Sequence, residues 1–69
     1  MSSIYERFGE QVKKARRQKD LTQEDLAHLI KRDPRTIVAI ETGKRNPTLQ
    51  TIHKIALALK IKSSDLLPF

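Results

Sequence analysis

The chain has no cysteine, only two glycines and no long run of apolar residues. Each lack removes a class of function. Without cysteine there is no disulfide framework and no thiolate metal site, which suits a reducing compartment. Nothing approaches the ~20 consecutive apolar residues that cross a bilayer. The N-terminus, MSSIYERFGEQ, lacks the charged-then-apolar layout of a signal peptide, so a cytoplasmic location is expected. No glycine-rich phosphate loop, nucleophile elbow or metal-binding carboxylate cluster occurs. His28 and His53 fall on different expected helices without ligand spacing and read as surface or packing residues. No enzyme is expected, and no metal, cofactor or small-molecule ligand. Strand signals are missing too: there is no sustained alternation and no Asn-Gly or Asp-Gly hairpin turn.

What remains is short and basic. At 69 residues the chain reads as one small domain, 1–69, near the lower size limit for folding without staples. Fourteen Lys and Arg against eight Asp and Glu give a net charge of +6. Such domains often meet phosphate backbones or anionic membranes. Here the cations spread over a helix, a turn and a loop instead of flanking bulky apolar residues on one amphipathic helix, which argues against a membrane surface.

Apolar spacing predicts helices throughout. Ile4, Phe8, Val12 and Ala15 recur at three- and four-residue steps and predict a helix over Ile4–Lys19, capped by Ser2 or Ser3. Its last turns, VKKARRQK, place cations where the helix dipole is negative, so Lys13, Lys14, Arg17 and Lys19 read as a solvated face. Thr22 and Asp25 form a capping-box variant for a second helix, Gln23 to about Ile30, with Leu26, Ala27 and Ile30 inward. Thr48 caps a fourth helix, Leu49 to about Leu59, with Ile52, Ile55, Ala56 and Leu59 inward. A short fifth helix is expected near Ser64–Leu67, capped by Ser63.

The stretch Leu21–Pro47 organises the rest: two short helices, a tight turn between them, then a basic loop. The second of the pair opens at Asp33-Pro34 and stops at Gly43. Asp can cap the free amides, Pro at the first position has no amide to leave unpaired, and Gly suits the left-handed closing residue. At about 100° per residue, Ile37, Ile40 and Glu41 share one side, and Arg35, Val38, Ala39 and Thr42 the other. The second side carries a long cation, small or apolar groups and a hydroxyl, and looks made to press against a partner.

These residues resemble the phage-repressor (Cro-like, XRE) helix-turn-helix family. The likeness covers about Phe8 to Leu67. It runs through LTQEDLA, Thr36-Ile37, Ile40-Glu41, GKRNPT, Leu49, Ile55-Ala56, Leu59 and the closing Ser-x-Asp-Leu-Leu. It implies an all-α, compact five-helix bundle with a lambda-repressor-like fold. It also implies binding to double-stranded DNA, with the N-terminal part of the second motif helix at base edges of the major groove. Arg35 then faces a guanine, Val38 and Ala39 meet thymine methyls, and Thr42 reaches a base edge or phosphate. Thr22, Gln23, Arg32, Thr36, Lys44, Arg45 and Asn46 fall at phosphate-contacting positions, which set position and salt dependence. Arg16 and Glu41 match an ion pair joining the first helix to the recognition helix.

Two departures stand out. The turn usually holds Gly and then a small apolar residue; here it holds Lys31 and Arg32. A left-handed Lys costs about 1 kcal/mol, which predicts a reshaped turn, and Arg32 is expected to point outward. Pro34 replaces a polar base reader and leaves more of the readout to Arg35, or to DNA shape.

One small domain makes few base contacts, so a homodimer on half-sites roughly 34–36 Å apart is expected. Its candidate surface is Ile61, Leu66, Leu67 and Phe69 with parts of the fourth helix. The resemblance therefore implies a transcriptional repressor or autoregulator: a phage repressor, a restriction-modification controller or an antitoxin. The alternative is a protein-interaction module, such as a toxin-binding antitoxin, docking through Val38 and Ala39.

Overall fold

The computed structural model describes residues 3–69, so Ser2 lies outside the described residues and Ser3 is the first cap. Four helices follow: α1 (Ile4–Gln18), α2 (Gln23–Leu29), α3 (Pro34–Glu41) and α4 (Leu49–Leu59). Each starts where a local oxygen accepts its free amides. Ser3 and Glu6 form a full capping box, as do Thr22 and Asp25. Asp33 Oδ1 accepts the Arg35 amide at 2.8 Å, with Pro34 opening α3, and Thr48 Oγ1 accepts the Thr51 amide at 3.1 Å.

All four helices also end alike. The closing residue is left-handed, its amide reaches back three residues, and the next amide reaches back five, a pattern that satisfies the last carbonyls. Asp20, Lys31, Gly43 and Lys60 hold that position with φ of 57°, 58°, 75° and 57°. The paired bonds are Asp20 to Arg17 with Leu21 to Arg16, Lys31 to His28 with Arg32 to Ala27, Gly43 to Ile40 with Lys44 to Ala39, and Lys60 to Leu57 with Ile61 to Ala56. The turn at Lys31-Arg32 is therefore not reshaped. Lys31 takes the strained conformation itself, and two backbone bonds offset the cost of about 1 kcal/mol.

The core lies where α1, α2, α3 and α4 converge, around Val12, Leu26, Ile37, Ile40, Ile55 and Leu59. Phe8 and Val12 bring α1 into it, with Ala15 packed at the edge. Ile4 does not belong to this stripe. At 45% exposure it sits on the first turn of α1, outside the core cluster. Gly9 was not singled out by periodicity, yet it is buried where α1 crosses the end of α3. A methyl group there would run into the Ile40 carbonyl oxygen and lie 2.6 Å from that of Glu41.

The C-terminal segment differs from expectation in two ways. The fifth helix is instead a single 3-10 turn, Ser63–Asp65, whose start is held by the Lys62 amide on Asp65 Oδ2 at 3.2 Å. The architecture is thus four α-helices and a turn. Leu66, assigned to a dimer surface from the sequence, is 0% exposed: the turn swings it inward, and it completes the monomer's own core. Ile61 and Leu67 pack half-buried against that core, whereas Phe69 is 84% exposed. Arg7 Nη2 donates to the Pro68 carbonyl at 2.7 Å and ties the segment back to α1.

Candidate nucleic-acid interface

α3 divides as its periodicity dictates. Ile37, Ile40 and Glu41 are buried, while Arg35, Val38 and Thr42 form an exposed stripe with half-buried Ala39 between them. The Arg35 side chain is 91% exposed. It is not unpartnered, because Nε and Nη2 donate to the Asp33 carboxylate at 3.1 and 3.0 Å. The Arg35 guanidinium, and then its amide, hold the Asp33 carboxyl down to about 2. Asp33 in turn raises the Arg35 pKa above its ordinary value. The Thr42 hydroxyl donates back to the Val38 carbonyl at 2.8 Å, so its lone pairs, not its proton, face outward.

The orientation of α3 is set from behind. Glu41 accepts from Arg16 Nε at 2.7 Å and Nη2 at 3.2 Å, and from Gln23 Nε2 at 3.1 Å. Arg16 Nη1 donates to the Leu21 carbonyl at 2.6 Å. One carboxylate thus links the first three helices, and no buried side-chain polar atom among the described residues lacks a partner. A buried charge needs such full pairing to be tolerated. Gln23, read as a phosphate contact, spends part of its amide inside this network. Thr22 accepts the Asp25 amide at 3.0 Å, and its own amide donates to Asp25 Oδ2 at 2.8 Å, so the residue is engaged in capping α2.

Two further cations, Arg32 and Arg45, share one groove. Arg32 from the turn, Thr36 from α3, and Arg45 and Asn46 from the basic loop line one open groove of about 270 Å³ beside the start of α4. Thr48 and Gln50 also line it. Arg32 is exposed, as its size and charge predict. Lys44 is exposed but outside this groove, and Thr22 and Gln23 stand apart at the start of α2. Gln50 escaped the sequence reading because a glutamine in a first helical turn is an ordinary helix former. His28 and His53 are exposed on separate helices. No described helix is long and apolar enough to cross a membrane, and no group of His, Cys, Asp and Glu among the described residues could hold a metal ion.

A helix-turn-helix family model, HTH_3, matches residues 12–66, which span α2, α3 and α4 and the second half of α1. The chain belongs to the HTH_3 (XRE) helix-turn-helix family. Membership in HTH_3 places it among DNA-binding transcription regulators. Control protein C.MunI from a Mycoplasma species is 43% identical over 67 residues, covering 96% of this chain and 90% of the relative. An uncharacterized HTH-type transcriptional regulator from Methanocaldococcus jannaschii is 45% identical over 47 residues, 68% of this chain and 71% of that one. Among solved structures, the restriction-modification controller protein C.AhdI from Aeromonas hydrophila superposes with a TM-score of 0.87 at 36% identity, over 93% of this chain and 96% of its own.

Proposed function

We propose that this protein is a sequence-specific transcriptional repressor or autoregulator that lays α3 in the major groove of double-stranded DNA, acts in the cytoplasm, and binds a two-fold symmetric operator as a homodimer. The observation that carries the reading is the free stripe Arg35, Val38, Ala39 and Thr42 on a helix held from behind by a buried ion pair. A B-form major groove admits one α-helix. Arg35 supplies donors for guanine, and Val38 and Ala39 suit thymine methyls. The groove lined by Arg32, Thr36, Arg45 and Asn46, with Lys44, Thr22 and Gln23, grips phosphate and sets register. Thr42 contributes acceptor lone pairs at the far end of the stripe.

C.MunI, named a control protein, and C.AhdI, named a restriction-modification controller, support the narrower role of such a controller, since the likeness covers nearly all of both. For the dimer, Leu66 is excluded by burial. Phe69, the exposed sides of Ile61 and Leu67, and Leu57 on α4 remain the candidate contact.

Selection of duplexes from a random pool tests the whole reading. The expected result is an enriched inverted repeat that also occurs upstream of the protein's own gene. Failure to retain any duplex, together with a protein partner whose binding survives charge reversal at Lys44 and Arg45, would favour the interaction-module reading.

A further inference from the structure

Arg35 and Asp33 are joined more tightly than a helix cap requires. Asp33 Oδ1 accepts both the Arg35 amide at 2.8 Å and Nε at 3.1 Å, while Oδ2 accepts Nη2 at 3.0 Å. One carboxylate therefore starts α3 and also clasps the guanidinium along its Nε–Nη2 edge. A guanidinium is a planar fork of five N–H donors, able to offer a side edge or an end edge to a two-acceptor partner. Asp33 fills the side edge. Of the two pairing edges, only the Nη1–Nη2 end edge lies open.

We propose that Asp33 is a positioning residue for base readout, fixing Arg35 so that its end edge meets the O6 and N7 acceptors of one guanine and making that base pair the most discriminated in the operator. This rests on the major-groove reading of α3. An exposed arginine has side-chain rotamer freedom to lose on binding. Anchoring the guanidinium in the free protein removes part of that loss, for the end-on geometry only. Asp33 also disfavours the wrong partner. When Arg35 finds no guanine, the carboxylate still approaches the phosphate-lined groove, and like charge raises the cost of a mismatched or random duplex. The pair thus exchanges general affinity for selectivity.

Asp33→Ser and Asp33→Asn separate this role from capping, because Ser and Asn are both strong helix caps and neither carries the charge that clasps the guanidinium. The probes are the selected operator, the same operator with 7-deazaguanine at the Arg35 base pair, and a random duplex. In the unaltered protein the lost N7 acceptor is expected to weaken binding by about tenfold or more. In both variants that penalty is expected to shrink several-fold, while random-duplex binding holds or tightens and helix content by circular dichroism is unchanged. If both variants keep the full penalty, Asp33 is only a cap and the proposal falls. If binding weakens equally on all three probes, the loss is structural and the proposal falls as well. If the unaltered protein binds no duplex selectively, the major-groove reading itself fails, an outcome distinct from the other two.

Discussion

Arg16 on α1 clasps Glu41 on α3 side-on, through Nε to Oε2 at 2.7 Å and Nη2 to Oε1 at 3.2 Å, with only 8% and 2% of the two side chains exposed. The contact crosses the molecule at the end of the helix whose other side is free. Removing one partner leaves the other charge buried and alone. Arg16→Met or Glu41→Leu singly should therefore cost about 3–5 kcal/mol, whereas the double variant should regain most of it, since apolar replacement of a buried pair is often near neutral. Urea unfolding of the four chains gives the coupling directly. A double variant as weak as the sum of the singles would show that the pair does not act as a unit.

Gly9→Ala separates two opposed effects. In an open helix interior the change would stabilise by roughly 0.5–1 kcal/mol. Here the new methyl meets the Ile40 and Glu41 carbonyls, backbone that cannot yield without moving α3. A net loss of about 1–3 kcal/mol is expected. Thermal unfolding reads the sign, and a gain would mean that α1 and α3 cross less closely than described.

Arg35→Ala should relax base preference by about 1–3 kcal/mol at a single base pair of the selected operator and leave other positions unchanged. Competition among operator variants measures it. Equal discrimination by both proteins would remove Arg35 from direct readout.

Lys44→Ala should behave differently, because a phosphate contact carries no base information. Affinity is expected to fall for all duplexes alike, with the slope of log K against log salt reduced by about one unit. Titrations at several salt concentrations decide the matter. Loss confined to the cognate site would contradict the phosphate assignment.

Acid should loosen two helix starts. Asp33 is held down to about 2 in the folded chain by the Arg35 side chain and amide, from an ordinary 3.8. Asp25 is lowered in the same direction by the Thr22 amide and then the Thr22 hydroxyl. A carboxyl whose folded pKa is depressed adds stability that is present above the unfolded value and lost as pH falls through the folded one. Melting temperature should accordingly be insensitive to Asp33 above about pH 4 and fall between about pH 4 and pH 2. Asp33→Asn should flatten part of that fall; an identical pH profile would show that the pair contributes nothing to folding.

Much of this was legible in the chain itself, and the reason is local. Helix caps act within three residues, so Thr22 with Asp25, Asp33 with Pro34, and Thr48 marked their helix starts correctly. Buried stripes follow from spacing alone, and those of α2, α3 and α4 fell as read. Ile4 is half-exposed although it continues the stripe of α1, because spacing says which side of a helix faces inward and not whether each residue on that side is covered. Lys31 was expected to force a new turn; the closing amide bonds were strong enough to keep the old one. The Asp33–Arg35 clasp spans only two residues, but a cap motif specifies one carboxylate oxygen on an amide and leaves undetermined that the second holds the Arg35 side chain.

By itself the sequence determined the helical class, the position of each helix, the apolar stripe that builds the core, and the resemblance that joins α2 and α3 into one motif. Those properties depend on bonds and spacings of three to four residues, which are repeated wherever the same residues recur. Only the tertiary structure decided that Leu66 completes the core, that Gly9 lets α1 close on α3, and that Arg32, Thr36 and Arg45 share a groove. Each of those depends on where distant segments cross, and a crossing is settled by packing the whole core at once, not by any one stretch of chain.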